Sequence, residues 1–139
     1  MIDIENYVYT QVRNAVKTAY PNVSVSGEYV ENPSSFPHVC LEMSDNATHA
    51  ASMTAQKREF AAEQTFTANV YTNTPTAKTD AKKLAQIVDE TMAGLGFRRA
   101  MSMRTPNIEH TIYRMTMRYT GLVATAYDEA QGHYNIIAR

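Results

Sequence analysis

Hydrophobic residues at steps of three and four open the chain and predict a helix with one buried face. The apolar stripe consists of Ile4, Val8, Val12, Ala15, Val16 and Ala19. Asp3 is placed to act as the N-cap, and Pro21 follows Tyr20, where its ring prevents a helix from continuing. We therefore expect about four helical turns packed through one face.

Alternation of apolar and polar residues follows in three places and predicts half-buried strands. The first covers residues 23–29, and the second begins after Pro37 and runs through residues 38–43. Because a turn-forming cluster at residues 32–35 separates them, the two are expected to form an antiparallel hairpin. The third, over residues 60–72, predicts a long strand with one buried and one solvated face.

Residues 44–58 carry no sustained hydrophobic period and are rich in Asn, Thr, Ser, Ala and Gln. They are predicted to form a long loop. Because structureless loops of more than roughly 12 to 15 residues are uncommon in compact domains, this segment is expected to be functional or mobile.

The second half of the chain predicts a helix and a hairpin. The helix is capped by Thr76 or Thr79, ends at Gly94 and Gly96, and places one apolar stripe toward a core. That stripe consists of Ala81, Leu84, Ala85, Val88, Met92 and Leu95. Residues 97–105 and 111–120 then alternate on either side of a turn at Pro106, which predicts a second antiparallel hairpin.

Beyond Val123 the chain becomes polar, and residues 133–137 are expected to form an added edge strand or a mobile arm. The order of elements predicts an α+β fold, a mostly antiparallel sheet with two helices on one face, a long loop and a C-terminal arm. We expect one domain over residues 1–139, with a compact part at 1–124 and the arm or edge strand at 125–139.

Composition narrows the class of protein. The 139 residues are 44% hydrophobic and 19% charged, as in ordinary globular proteins, and the formal net charge of −1 argues against a dedicated nucleic-acid binder. Cys40 is the only cysteine, which excludes an internal disulfide and indicates a reducing compartment. The first residues do not resemble a signal peptide, and no apolar run reaches the roughly 18 residues of a membrane span, so a soluble domain is expected.

A search for catalytic chemistry yields little. The chain has no Gly-rich phosphate loop, no Gly-x-Ser-x-Gly motif and no His-Glu-x-x-His motif, so we predict no enzyme and no cofactor. The nearest metal or thiol constellation joins His38 and Cys40, which share one strand face, with His49 from the loop. Its spacing matches no established zinc pattern. A small metal- or thiol-dependent hydrolase is therefore only the alternative from another class, and no metal site is predicted.

Arginines are the main charge feature, and they fall on the second predicted hairpin as Arg98, Arg99, Arg104, Arg114 and Arg118. Arg114 and Arg118 share one strand face, and the others lie on the partner strand. They would either form a basic patch facing nucleic acid or an acidic protein, or pair with nearby carboxylates on a solvated or subunit-facing surface. A free-standing DNA-binding module is thus a further alternative. Nearby methionines would fill the core or, on a projecting hairpin, contact a neighbour.

The arrangement resembles the tail terminator and tail-completion proteins of long-tailed bacteriophages, which are also called minor capsid or tail-joining proteins. The resemblance covers nearly the whole chain and depends on the N-terminal helix, the helix at residues 81–95 and three sequence stretches. Those stretches are Phe36-Pro37-His38-Val39, Ala68-Asn69-Val70-Tyr71-Thr72 and Tyr113-Arg114-Met115-Thr116-Met117-Arg118-Tyr119.

The resemblance implies a structural virion protein without catalytic activity. It implies a homo-oligomeric ring, commonly a hexamer, that caps the tail tube and joins it to the head-closure or connector protein. Such a ring would be assembled in the cytoplasm of the bacterial host, would belong to the tail or neck of the virion, and would lie close to the DNA passing through its channel. Another neck protein, such as a head-closure protein or connector adaptor, is the alternative within this class.

Three parts of the chain are the candidate contacts of such an assembly: the arginine-bearing hairpin, the loop at residues 44–58 and the C-terminal segment. The candidate residues outside the hairpin are His49, Met53, Lys57, Arg58, Tyr134 and Ile136.

Overall fold

The computed structural model describes residues 2–48, 61–106, 111–128 and 133–137. Two helices pack on one side of a single sheet, which confirms the predicted α+β fold with helices on one face. In chain order the elements are α1 (Glu5–Ala19), β1 (Ser24–Ser26), β2 (His38–Thr48), β3 (Ala61–Thr72), α2 (Ala77–Gly94), β4 (Arg98–Thr105), β5 (Tyr113–Asp128) and β6 (His133–Ile137).

The strands are ordered β1-β2-β3-β5-β4, and β6 also pairs with β5. One edge of β5 pairs with β3 from Tyr113 to Ala124. The other edge pairs first with β4, up to the partners Arg98 and Thr120, and then with β6, from Leu122 onward. The segment at residues 133–137 is therefore an edge strand, in line with β4 along β5.

The core lies between the helices and the sheet. Helix α1 contributes Val8, Val12 and Val16, all fully buried, as the three-and-four spacing predicted. Alternate residues of the central strands point toward them, because successive side chains of a strand face opposite sides. The buried sheet residues on this side are Val39, Leu41, Ala62, Phe66, Ala68, Val70, Met117, Tyr119 and Val123. We call the other side of the sheet the open face.

The first predicted hairpin is wrong. β1 pairs with β2 in parallel, with Ser24 opposite His38 and Ser26 opposite Cys40, and Tyr29 lies outside the strand. The intervening residues 27–37 return to the start of β2 instead of making a tight turn. Side chains of the open face hold this segment, since the Tyr71 hydroxyl donates a hydrogen bond of 2.7 Å to the carbonyl oxygen of Val30.

The predicted loop at residues 44–58 begins too early, because β2 continues to Thr48. The alternation is lost for two physical reasons. A bulge between Met43 and Asp45 inserts Ser44 as an extra residue, which shifts the period by one. After the bulge, Asn46 occupies a helix-facing position where its Nδ2 donates to the carbonyl oxygen of Ile2 at 2.8 Å, so a polar residue stands where an apolar one was expected. Residues 49–58 lie outside the described part of the chain.

Helix ends differ in detail from the predicted caps. In α1 the N-cap residue is Ile4, and Asp3 instead accepts a hydrogen bond of 3.0 Å from the backbone N–H of Glu5. In α2 Thr76 is the N-cap residue as predicted, but its hydroxyl donates to the Asp80 carboxylate at 3.1 Å and caps no backbone N–H. The predicted end of α2 is confirmed, since the helix stops at Gly94 and Gly96 has a φ of 100°.

The second face of β3 is only partly solvated, contrary to the expectation of one buried and one solvated face. Asn69 and Tyr71 point to the open face yet are buried, with 3% and 0% of their surface exposed. They are covered where the segment at residues 27–37 crosses the sheet, as the bond from Tyr71 to Val30 shows.

Candidate assembly surface

Arg114 lies on the open face and contacts three side chains. Its Nε and Nη2 donate to Oδ1 of Asn69 at 3.1 and 3.0 Å. Its guanidinium carbon lies 5.2 Å from the ring centre of Tyr29 and 5.4 Å from that of Tyr71. Two aromatic faces and one amide oxygen therefore fix Arg114, which makes it a structural element of the open face.

Asn69 connects this arginine to the strand edge. Its Oδ1 also accepts a hydrogen bond of 2.8 Å from the Thr116 hydroxyl, and that hydroxyl lies 2.6 Å from Oγ1 of Thr105 on β4. A single amide oxygen thus receives three donors from β5. In the sequence, the only sign of this contact is an Asn within a predicted strand of mostly apolar residues. That sign is too weak to single out Asn69.

His38 of β2 and Tyr71 of β3 lie opposite each other on the paired strands, with their ring centres 6.1 Å apart. Burial is the main cause that raises the pKa of Tyr71 well above its ordinary range, so the hydroxyl stays protonated and donates to Val30. Burial also lowers the pKa of His38 below its ordinary value of 6.5, which favours the neutral imidazole. These residues form a packed polar layer without charge at neutral pH.

The five hairpin arginines are divided between the two faces of the sheet. Arg114, Arg118 and Arg98 belong to the open face, whereas Arg99 and Arg104 point to the helix side. A bulge between Arg99 and Met101 reverses the alternation of β4, which sequence spacing alone did not reveal. The five arginines therefore do not form one continuous basic patch.

Their contacts also differ. Arg99 forms an ion pair with Asp89 of α2 at 3.0 Å, which is the carboxylate pairing that the sequence analysis held open. The guanidinium of Arg104 lies 5.1 Å from the ring centre of Tyr113. Arg98 and Arg118 are exposed, and within the described ranges neither forms an ion pair with a carboxylate.

β4 is an exposed edge strand. All its residues are exposed or half-buried, and Met103 has 50% of its surface exposed. The methionines of this hairpin thus differ in burial, because Met117 is a core residue and Met103 faces solvent. Since β5 satisfies only one side of β4, its outer edge presents backbone groups that another strand could pair with.

At the opposite edge of the sheet, the N-terminal segment contacts β2 beyond the end of β1. The backbone N–H of Met43 donates to Oε2 of Glu5 at 2.6 Å. The carbonyl oxygen of Ile2 accepts from Asn46 and from Nε2 of Gln64, at 2.8 and 3.0 Å. The bond from Met43 occupies the edge of β2 beyond β1, whereas the two bonds to Ile2 lie on the helix side of the sheet. The two edges of the sheet are therefore not equivalent.

The remaining candidate residues fall in other places. Tyr134 and Ile136 belong to β6, where their backbones pair with Tyr127 and Val123 of β5. The loop candidates His49, Met53, Lys57 and Arg58 lie outside the described residues.

The weak metal or thiol constellation gains no support from the described residues. His38 and Cys40 share the open face, but His49 is not among the residues described, and no group of three or more His, Cys, Asp or Glu within the described ranges could hold a metal ion. Burial is the main cause that raises the pKa of the Cys40 thiol, which disfavours the reactive thiolate.

A comparison with solved structures shows that the fold is shared with another protein. A chain from the virion of a native gene transfer agent particle superposes with a TM-score of 0.61 at 15% sequence identity, covering 84% of this chain and 91% of that chain. At this identity the likeness shows a shared fold. No protein-family model and no curated protein matches the sequence. In the described part of the chain, none of the helices has both the length and the apolar character needed to span a bilayer.

Proposed function

We propose that this chain is a structural virion protein, and specifically a tail terminator whose copies form a ring, with six subunits, at the end of a phage tail tube. The observation that carries the proposal is the fold correspondence with a chain of a gene transfer agent virion, which spans nearly the full length of both chains. The order of elements that resembles tail terminators in sequence supports the finer assignment.

The non-equivalent edges of the sheet support a ring. Cyclic rings are built from heterologous contacts, in which one surface of a subunit meets a different surface of the next. The edge strand β4 is exposed, whereas the β2 edge carries β1 and the Glu5 side chain. A subunit with two different sides suits such a head-to-tail arrangement better than a twofold contact.

In this role the protein binds copies of itself, the tail tube protein on one side of the ring and the head-closure or connector protein on the other. The candidate contacts remain those of the arginine-bearing hairpin, of β6 with Tyr134 and Ile136, and of the segment containing His49, Met53, Lys57 and Arg58. DNA passes through the channel without sequence-specific contacts. The role requires no catalytic step and no cofactor.

Electron microscopy of binding to phage parts tests the assignment. Purified protein is mixed separately with tails that lack a terminator and with DNA-filled heads that lack tails. A tail terminator adds a ring of density to one end of the tails. Binding to heads alone would identify the protein as another neck component, and binding to neither would overturn the virion assignment.

A further inference from the structure

Charges of opposite sign are segregated along the sequence. The described hairpin residues 98–106 and 111–120 contain five arginines and no Asp or Glu. Residues 21–48 contain Glu28, Glu31, Glu42 and Asp45 and no Lys or Arg. A formal net charge of −1 for the whole chain conceals this separation.

The strand order converts the separation in sequence into a separation in space. β2 and β4 lie near opposite edges, with β3 and β5 between them. Neighbouring strands lie about 4.8 Å apart, so the two strands are separated by roughly 14 Å. The sheet therefore has a positive edge and a negative edge.

The positive edge consists of Arg98 and Arg118, which are both exposed and both on the open face. Arg98 belongs to the edge strand β4, and Arg118 lies beside Met101 of that strand, whereas Arg104 points to the helix side. Arg99 is not included, because its ion pair with Asp89 of α2 already compensates its charge. We call Arg98 and Arg118 the arginine edge.

The negative edge consists of Glu42 and Asp45 on β2, opposite Thr67 and Thr65 of β3. Both side chains are on the open face, and Asp45 is exposed. The carboxylates of Asp3 and Glu5 lie at the start of α1, and Glu5 contacts this strand directly. The basic residues of α1, Arg13 and Lys17, belong to its later turns. We call Glu42 and Asp45 the acidic edge.

Exposed charges on an edge strand commonly prevent unwanted pairing between sheets. The arginines of β4 disfavour the pairing of one β4 strand with another. A twofold contact between two β4 strands would bring the arginine edge of one copy against that of the other. Juxtaposed like charges repel each other and disfavour such partners. The acidic edge of another copy, by contrast, carries the opposite charge and attracts the arginine edge.

We propose that neighbouring subunits meet head to tail, with the arginine edge of one copy against the acidic edge of the next. The partner is a second copy of this chain, and the inference rests on the proposed ring. Each subunit then uses both edges once, so a closed ring leaves neither edge exposed. The long-range attraction also speeds association and weakens as salt increases.

Two charge-reversed chains test this contact. One carries Arg98→Glu and Arg118→Glu, and the other carries Glu42→Lys and Asp45→Lys. Native mass spectrometry and light scattering measure the concentration at which rings form. We expect each reversed chain alone to require a roughly 100-fold or higher concentration, because like charges then meet at every interface. Circular dichroism and thermal melts establish that each chain is folded.

Mixing the two reversed chains is the decisive experiment. Each interface in an alternating ring again pairs opposite charges, so we expect rings with equal numbers of both chains. A single chain with all four substitutions should likewise form rings by itself. The control Arg13→Glu, an exposed charge reversal on α1, should form rings like the wild type.

The outcomes separate this contact from the proposed function. Wild-type rings that are indifferent to both reversals, or reversed chains that fail to recover on mixing, would overturn the contact and leave the tail-terminator assignment standing. A wild-type chain that stays monomeric but caps tails would also overturn it. Mixed rings formed by a protein that binds neither tails nor heads would establish the contact and refute the function.

Discussion

The ring of Phe97 lies directly against the backbone of Gly121. A Cβ atom on Gly121 would stand 2.6 Å from Cδ1 of Phe97 and 2.9 Å from its Cε1. Gly121 is the residue of β5 between the last partner of β4, Thr120, and the first partner of β6, Leu122. Phe97 in turn meets Phe66 edge to face at 5.2 Å. The junction of the two edge strands therefore depends on the absence of a side chain.

Replacing Gly121 by Ala should destabilise the protein by about 1 to 3 kcal/mol, because the added methyl group forces the buried Phe97 ring to move. Urea denaturation measures the loss. Gly94→Ala is the matched control, since a Cβ there meets nothing within 4 Å and the residue ends α2. The control should retain or slightly increase stability. Equal midpoints for Gly121→Ala and the wild type would refute this account of the junction.

Asn69→Leu should lower the unfolding free energy by about 1 to 3 kcal/mol, because it leaves Arg114 and Thr116 without their shared acceptor. Asn69→Asp keeps an acceptor for the same donors and should retain most of the stability. Thermal melts compare the two variants with Asn14→Ala, an exposed site on α1. If the Leu and Asp variants were equally stable, the amide oxygen would not be the organising group.

Arg114 and Arg118 lie on the same face of β5 but should respond differently to Ala substitution. Arg114→Ala removes two hydrogen bonds and two aromatic contacts and should cost about 1 to 3 kcal/mol. Arg118 is exposed, so Arg118→Ala should change stability by less than about 0.5 kcal/mol. Chemical denaturation of both variants measures the difference, and equal losses would contradict the distinct roles given to the two arginines.

His38 should make stability depend on pH below neutrality. Since burial lowers its pKa in the folded state, the unfolded chain takes up a proton first as pH falls below 6.5, and folding stability decreases from there toward the folded pKa. The loss can reach about 1.4 kcal/mol per pH unit. The neighbouring Cys40 and Tyr71 have raised pKa values and stay protonated over this range.

Urea melts at several pH values between about 7 and 5 test this dependence. His38→Gln should remove the contribution of this side chain and flatten the profile. A variant whose stability decreased with the same slope as the wild type would show that another group is responsible.

Sequence periodicity predicted the parts of the fold in which one face is apolar throughout. Val8, Val12 and Val16 marked the buried face of α1, and the alternation around Phe66 marked β3. It failed where tertiary contacts replace hydrophobic burial. β2 was predicted too short because Ser44 forms a bulge and Asn46 binds the backbone of Ile2, a partner that is distant in sequence.

The candidate surface was predictable in composition but not in geometry. The sequence singled out the arginines, yet the bulge before Met101 decided which of them share a face. Local alternation cannot reveal that β1 lies parallel to β2, nor that Tyr29 returns to cover Arg114, because both depend on the path of residues 27–37 across the sheet. The assembly roles of the candidate contacts remain predictions.

The most direct test of the central claim is the native mass of the purified protein over a range of concentrations. A ring-forming terminator should give one dominant species near six times the 15.6 kDa chain mass, visible as closed rings in electron micrographs. A species of 15.6 kDa at every concentration, with no assembly when tail tubes are added, would contradict the account.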